Sequence, residues 1–268
     1  ILCCFHVAAA SALLCTRFKH SQCFPNTSSD NSSMLDFCAP SSLSFLTTVN
    51  NWAFIGEKIL HGTPSGLDNT ISTFGGTLSF RKTSTGPTFE RLNECPLLRV
   101  LLTNTKVPRV TRELVAGVAK LKAENPEMVD SINAAIKKLT NKFEKLISEA
   151  SADTVGFTRR SWDALEQQIA PLFEQNHALL RKLGVSHPAL EAVCDLSKAV
   201  GLSSKLTGAG GGGCAVTLTG VGAGLDKSEN RSNDTKPERL KSLKATLIEQ
   251  GFDCFQSDVG GEGVKVKF

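Results

Sequence analysis

No two of the nine cysteines form a Cys-x-x-Cys pair, and an odd, scattered set indicates neither a zinc site nor a disulfide framework. A reducing compartment fits that pattern. Nor does one charge dominate. Thirty Lys and Arg stand against 26 Asp and Glu, a net +4, and basic residues are interleaved with acidic ones along the expected helices. Nothing in this pattern reads as nucleic-acid binding. No apolar run reaches the roughly 20 residues that span a bilayer. Ile1 to Cys15 is almost uncharged but too short, and no initiator Met or basic segment precedes it as in a secretory leader. The first Met is Met34, so the chain reads as an interior piece of a longer protein, with a secretory leader as the alternative. Internal repeats are absent. What is present is 268 residues at 41% hydrophobic composition, enough for one large or two smaller cores.

Along the chain, residues 1 to 15 have helical propensity, with Ala8, Ala9, Ala10 and Ala12 giving a small-residue face. Residues 16 to 48 are rich in Ser, Thr, Asn and Pro without a sustained period, and are expected to be disordered or loosely packed. Trp52, Phe54, Ile55, Ile59 and Leu60 then follow helical spacing up to Gly62, and Pro64-Ser65-Gly66 forces a turn. Thr77 to Arg81 alternates as a short strand, and the compact apolar run Leu97 to Leu102 predicts a buried one. Thr111, with Glu113 behind it, can cap a helix ending at Asn125-Pro126. Val129, Ile132, Ile136, Leu139, Phe143 and Leu146 predict an amphipathic helix, and Trp162 through Leu183 a second. On that second stripe Asn176 is either a hydrogen-bonded buried amide or a pocket-lining side chain. A shorter helix starts near Pro188 and stops at Gly201, a candidate left-handed cap. A strand over Ala215 to Leu218, a polar mobile loop over Gly222 to Lys236, a helix over Pro237 to Gln250, and strands near Phe252 to Phe255 and Val264 to Phe268 complete the reading. Helices over an antiparallel sheet make an α+β domain from about residue 95 onward.

Three stretches carry chemistry. After the Pro64 to Gly66 turn comes one carboxylate, Asp68, among the short polar side chains of Asn69, Thr70, Ser72 and Thr73, and Gly75-Gly76 lets a backbone or ligand approach closely. Such a loop either presents an acid to a pocket or is a connection whose Asp caps a helix. Lys106, Arg109 and Thr111 gather at a strand end and a helix start, where cations and the helix dipole favour an anion, unless they form a plain basic surface loop. Gly208-Ala209-Gly210-Gly211-Gly212-Gly213 can turn backbone N–H groups toward an anion because almost no side chain intervenes, and a tight hairpin is the bland alternative.

Taken together, Asn51-Trp52-Ala53-Phe54, Gly56-Glu57-Lys58-Ile59-Leu60-His61-Gly62 with Pro64-Ser65-Gly66-Leu67-Asp68-Asn69, Asn104-Thr105-Lys106-Val107-Pro108-Arg109, and Lys205-Leu206-Thr207-Gly208 through Cys214 resemble the mevalonate kinase family of GHMP small-molecule kinases. The signatures fall in the family's order, which makes the set far more specific than any member. The resemblance implies an α+β GHMP-kinase-type fold, with residues 1 to 94 as part of an N-terminal domain and 95 to 268 as a C-terminal domain of helices on an antiparallel sheet. It implies ATP-dependent phosphorylation of the 5-hydroxyl of mevalonate, with ATP and Mg2+ as cofactors. By the same resemblance Asp68 is the acid-base group and Glu57 the magnesium ligand. His61, Ser65, Lys106, Arg109 and Thr111 contact substrate, and Gly208, Ala209, Gly210, Gly211, Gly212 and Gly213 face phosphate. His61 on its own is more simply a structural hydrogen-bonding residue, and Glu57 a solvated helix carboxylate. The expected partners are small molecules, mevalonate and ATP, with neither nucleic acid nor membrane, a homodimer as candidate assembly, and the cytoplasm, or else the peroxisome, as location. The family's Gly-Leu-Gly-Ser-Ser-Ala phosphate loop and its metal-binding serine do not occur in this sequence, nor does the N-terminal segment carrying the lysine that partners the aspartate. The competing reading is therefore a catalytically inactive remnant that acts at most as a binding module.

Overall fold

In the computed structural model, residues 43–61, 64–83, 86–92, 95–152, 159–221 and 236–264 are described. The expected helix over residues 1 to 15 and the polar loop after Gly222 lie outside these residues. The chain divides into two compact units, Ile1–Asn93 with Gly260–Phe268, and Glu94–Val259.

The first unit begins with helix α1 (Leu43–His61), which starts inside the stretch expected to be disordered. Its buried stripe explains why: Phe45, Val49, Ala53 and Glu57 recur every four residues and all lie inside, with Val264 packed against the first three. The face picked out by the sequence pattern is the wrong one. Trp52 is 57% and Ile59 79% exposed, and small Ala53 holds the interior position. After Pro64 and Ser65 the chain enters α2 (Leu67–Phe74) through Gly66, whose φ of 81° puts it in the left-handed region. Helix α2 buries polar residues, Asn69, Ser72 and Thr73, and the Asn69 amide reaches the Asn50 side chain on α1 at 2.7 Å. Strands β1 (Thr77–Thr83) and β2 (Gly86–Leu92) form an antiparallel ribbon, with Phe80 opposite Phe89 and ring centroids 5.4 Å apart. The second strand carried no signal that sequence reading used. Gly75 is where another backbone comes close, as its Gly-Gly pair foretold: a Cβ there would sit 2.1 Å from the Gly263 nitrogen. Gly76 donates its N–H to the Gly261 carbonyl and Val264 to that of Thr73, so Gly260 to Val264 run against the α2–β1 junction.

The second unit is built on a four-stranded antiparallel sheet with β3 (Leu98–Asn104) second from one edge, in the order β4 (Ser204–Leu206), β5 (Cys214–Val221), β3, β6 (Asp253–Val259). Helix α3 (Thr111–Glu124) follows β3, then α4 (Pro126–Ala152), α5 (Arg159–Lys182) and α6 (Pro188–Ala199), and α7 (Lys236–Glu249) precedes β6. The periodic residues pack as their spacing requires: Val129 and Ile132 of α4 join Leu101, Leu190, Val193, Leu206 and Leu247 in one core. Further along, Ile147 and Ala150 of α4 pack with Leu165 and Ile169 of α5 in another. His187 caps α6 by accepting the Ala189 N–H on Nδ1 at 3.1 Å, Pro188 takes the first helical turn, and Gly201 has the left-handed φ of 72° expected of it. The strand expected near Phe252 to Phe255 is β6, which runs on to Val259, and the strand expected over Val264 to Phe268 lies, but for Val264, outside the described residues.

Candidate functional site

The glycine ribbon leaves β4 at Leu206 and enters β5 at Cys214, so two strands of one sheet hold its ends. Its middle is clamped by backbone. Gly211 donates to the Val185 carbonyl at 2.8 Å, in the turn between α5 and α6. Gly210 has φ 83°, and a Cβ there would lie 1.9 Å from that same carbonyl oxygen. Gly213 donates to the Val107 carbonyl at 3.1 Å and accepts from both the backbone N–H and the Oγ1 of Thr105, at 2.8 and 2.7 Å. Two of the six candidate phosphate donors, Gly211 and Gly213, are therefore engaged within the protein. The N–H groups of Gly208, Ala209, Gly210 and Gly212 have no protein partner among the described residues.

The turn after β3 carries the cationic residues, and the structure separates them. The Arg109 guanidinium lies along the ribbon: a Cβ on Gly208 would be 3.2 Å, and one on Gly213 2.6 Å, from its Nη1, which also reaches the Thr207 carbonyl at 3.4 Å. Lys106 instead pairs with Asp253 of β6 at 2.8 Å. It has a φ of 60°, the one positive value among the described non-glycine residues, and its N–H donates to Asn104 Oδ1. Thr111 is exposed and already helical. The capping position belongs to Val110, which offers no side-chain acceptor, contrary to the expected threonine cap. Beside Arg109 a half-open pocket of about 400 Å3 is lined by Val110, Glu113, Leu114, Leu183 and Gly211 among others.

In the first unit, Asp68 stands exposed in the first turn of α2, where a carboxylate suits the helix dipole. Ser65 Oγ accepts the Leu67 N–H at 3.2 Å, a local turn bond. Glu57 is only 4% exposed, the last rung of the buried α1 stripe. The backbone of His61 ends α1, and its side chain lies outside the described residues.

Known proteins share this fold and parts of this sequence. Residues 157–251 match the model described as GHMP kinases C terminal. Mevalonate kinase of Mus musculus is 38% identical over 219 residues, 82% of this chain and 50% of the relative. That of Homo sapiens is 38% identical over 221 residues, again 82% of this chain and 50% of the relative. A crystal structure of L. major mevalonate kinase in complex with R-mevalonate superposes with a TM-score of 0.65 over 82% of this chain and 60% of that one, at 22% identity. The chain has a GHMP-kinase-type fold and is similar in sequence to mevalonate kinases. It spans about half the length of the curated relatives it matches.

Within this GHMP-kinase C-terminal domain, sequence reading missed one cluster. Asn176, the polar residue noted on the α5 stripe, is half-buried, whereas its neighbour His177 is 6% exposed. Nδ1 of His177 faces the Leu206 N–H at 3.2 Å and Nε2 faces Glu191 Oε1 at 3.0 Å. Glu191 also accepts from Arg181 at 3.2 Å and from Ser186 Oγ. Burial pushes the imidazole below its ordinary pKa, against the pull of Glu191 in the other direction. Burial acts to raise the Glu191 pKa, but hydrogen bonds and charge from Ser186, His177 and Arg181 together hold it below the ordinary carboxyl value. Cys194, on the same side of α6, has its thiol pushed up to about 12, first by burial and then by Glu191 and Asp195, so it is no nucleophile at neutral pH. The only sequence signal for this cluster was a histidine one place off a helical stripe.

Proposed function

We propose that this chain serves the ATP-dependent phosphorylation of the mevalonate 5-hydroxyl, in isoprenoid synthesis, as its relatives' names suggest for it. The observation that carries the reading is the Arg109 guanidinium laid along a glycine ribbon whose Gly208, Ala209, Gly210 and Gly212 amides have no protein partner among the described residues. A permanent cation beside free N–H donors is an anion site, and phosphate is the anion a kinase must hold. Lys106 and Thr111 belong to the same substrate-facing turn in this reading, and His61 and Ser65 to the turn before Asp68. Asp68 takes the hydroxyl proton as the oxygen bonds to the γ-phosphorus and the bond to the ADP oxygen breaks. Glu57 suits a Mg2+ ligand in this reading, since it is a buried carboxylate and such an ion takes one or two carboxylates beside phosphates and water. When bound, Mg2+ would neutralise phosphate charge. No helix among the described residues is long and apolar enough to cross a membrane. The scattered cysteines suit a reducing compartment, and the cytoplasm is the location we propose.

A second reading is binding of these ligands without turnover. Calorimetric titration with MgATP and with mevalonate, alongside a coupled ADP-release assay, separates the two. Binding with turnover supports the kinase, binding alone the module, and no binding of either ligand rejects both. In either case Arg109→Ala should weaken MgATP binding roughly tenfold or more, the scale of a charge-assisted hydrogen bond.

A further inference from the structure

We propose that His177 is a positioning residue for the glycine ribbon, holding both of its anchors through a neutral imidazole. The first anchor is the end of β4. Leu206 is the last residue before the ribbon, and its N–H points at His177 Nδ1 at 3.2 Å. A backbone N–H can only donate, so Nδ1 must carry a lone pair and the ring proton sits on Nε2, aimed at Glu191 Oε1. The second anchor is the α5–α6 turn. Val185 there accepts the Gly211 N–H, and the next residue, Ser186, donates to the same Glu191 carboxylate. One network, His177–Glu191–Ser186, thus spans from the ribbon's entry to the carbonyl that clamps its middle.

Protonation breaks this arrangement in a defined way. With a proton on each nitrogen, Nδ1–H would face the Leu206 N–H, donor against donor, in a buried place where neither finds water. The charged groups around the ring are Glu191 on α6, Arg181 on α5 and Lys205 on β4, and the Cys194 thiol on α6 stays neutral. Glu191 alone favours the charged imidazole, and burial, Arg181 and Lys205 oppose it. Opening of the ribbon then takes up a proton, and becomes easier as the pH falls below the ordinary imidazole pKa of about 6.5.

The inference bears on phosphate binding only if the ribbon is the phosphate site proposed above, but its test does not use turnover or ligand. Native-state hydrogen exchange of the Leu206 and Gly211 amides, corrected for intrinsic rate, is measured on the whole chain at pH 7.5 and 5.5. In the unmodified protein exchange should rise over that interval, by up to about tenfold, the limit for one proton taken up by a group of pKa about 6.5. His177→Gln keeps an acceptor and a donor on a group that does not titrate, so it should retain protection and flatten the pH response. His177→Phe should lose protection at both pH values while the α4 core amides of Val129 and Ile132 stay protected. Equal pH responses in the unmodified protein and His177→Gln would overturn the proposal. So would unchanged exchange in a folded His177→Phe. Failure here leaves the kinase reading intact, because ATP binding is measured separately.

Discussion

At the scale of single residues, Gly210 shows how little freedom the ribbon has. Its φ of 83°, and the 1.9 Å that would separate an added Cβ from the Val185 oxygen, leave no room for even alanine. Gly210→Ala should cost about 2 kcal/mol or more in urea unfolding, because left-handed strain and a backbone clash add. An unchanged denaturation midpoint would show that the ribbon yields instead. Glu57 and Ala53 carry the opposite lesson. Their four-residue spacing from Phe45 and Val49 was in the sequence, but a small and a charged residue do not announce a buried face, while Trp52 and Ile59 do so misleadingly. Which stripe turns inward was decided by what packs against it.

Among the elements, α3 is the one least supported by its own sequence. It has no buried residue, its first capping position is Val110, and its contact with the core is limited to half-buried Val118 and Leu121. Val110 has φ −107° and ψ 93°, the extended geometry in which a serine hydroxyl reaches the amides of the first turn. Val110→Ser is therefore expected to raise stability by about 1 kcal/mol, read as a higher melting temperature. The same change should slow exchange at Glu113 and Leu114. No gain in either measurement would mean that the exposed Val110 side chain already contributes as much by packing. The boundaries of this helix were readable at both ends, since Asn125-Pro126 stops it and the turn after β3 starts it. The cap was misread by one residue, because whether Thr111 lies before or within the helix depends on backbone angles set by the preceding turn.

For the molecule as a whole, the titration of buried groups sets a direction for stability against pH. His177 has a lowered pKa in the folded state, so its contribution is fully present above about pH 6.5 and is lost as pH falls toward the folded value. Glu191 is also lowered, and its contribution is lost only below the ordinary carboxyl range, as pH falls through its folded value. Unfolding free energy should thus decline from pH 6.5 downward, at up to about 1.4 kcal/mol per pH unit from the histidine alone, and then decline again below about 4.5. Urea titrations from pH 8 to 4 with His177→Gln as the control check this. A profile in the variant as steep as in the unmodified protein above pH 5 would assign the loss to other groups.

The amino-acid sequence by itself determined the long helices and central strands of the second unit and the likeness to mevalonate kinases. Long apolar periods specify α4 and α5, a compact β-branched and leucine run specifies β3, and proline and glycine mark the ends, all through interactions local enough to be written in a few neighbouring residues. The three motifs likewise sit in unbroken stretches, so the relationship to mevalonate kinases could be read from them before any fold was known. Only the tertiary structure decided that two ribbon amides are engaged by Val185 and Val107, that Arg109 lies along the ribbon while Lys106 turns to Asp253, and that His177 is buried between Leu206 and Glu191. Each of these joins residues far apart in the chain, and a hydrogen bond or close contact depends on position in space, which no local pattern encodes.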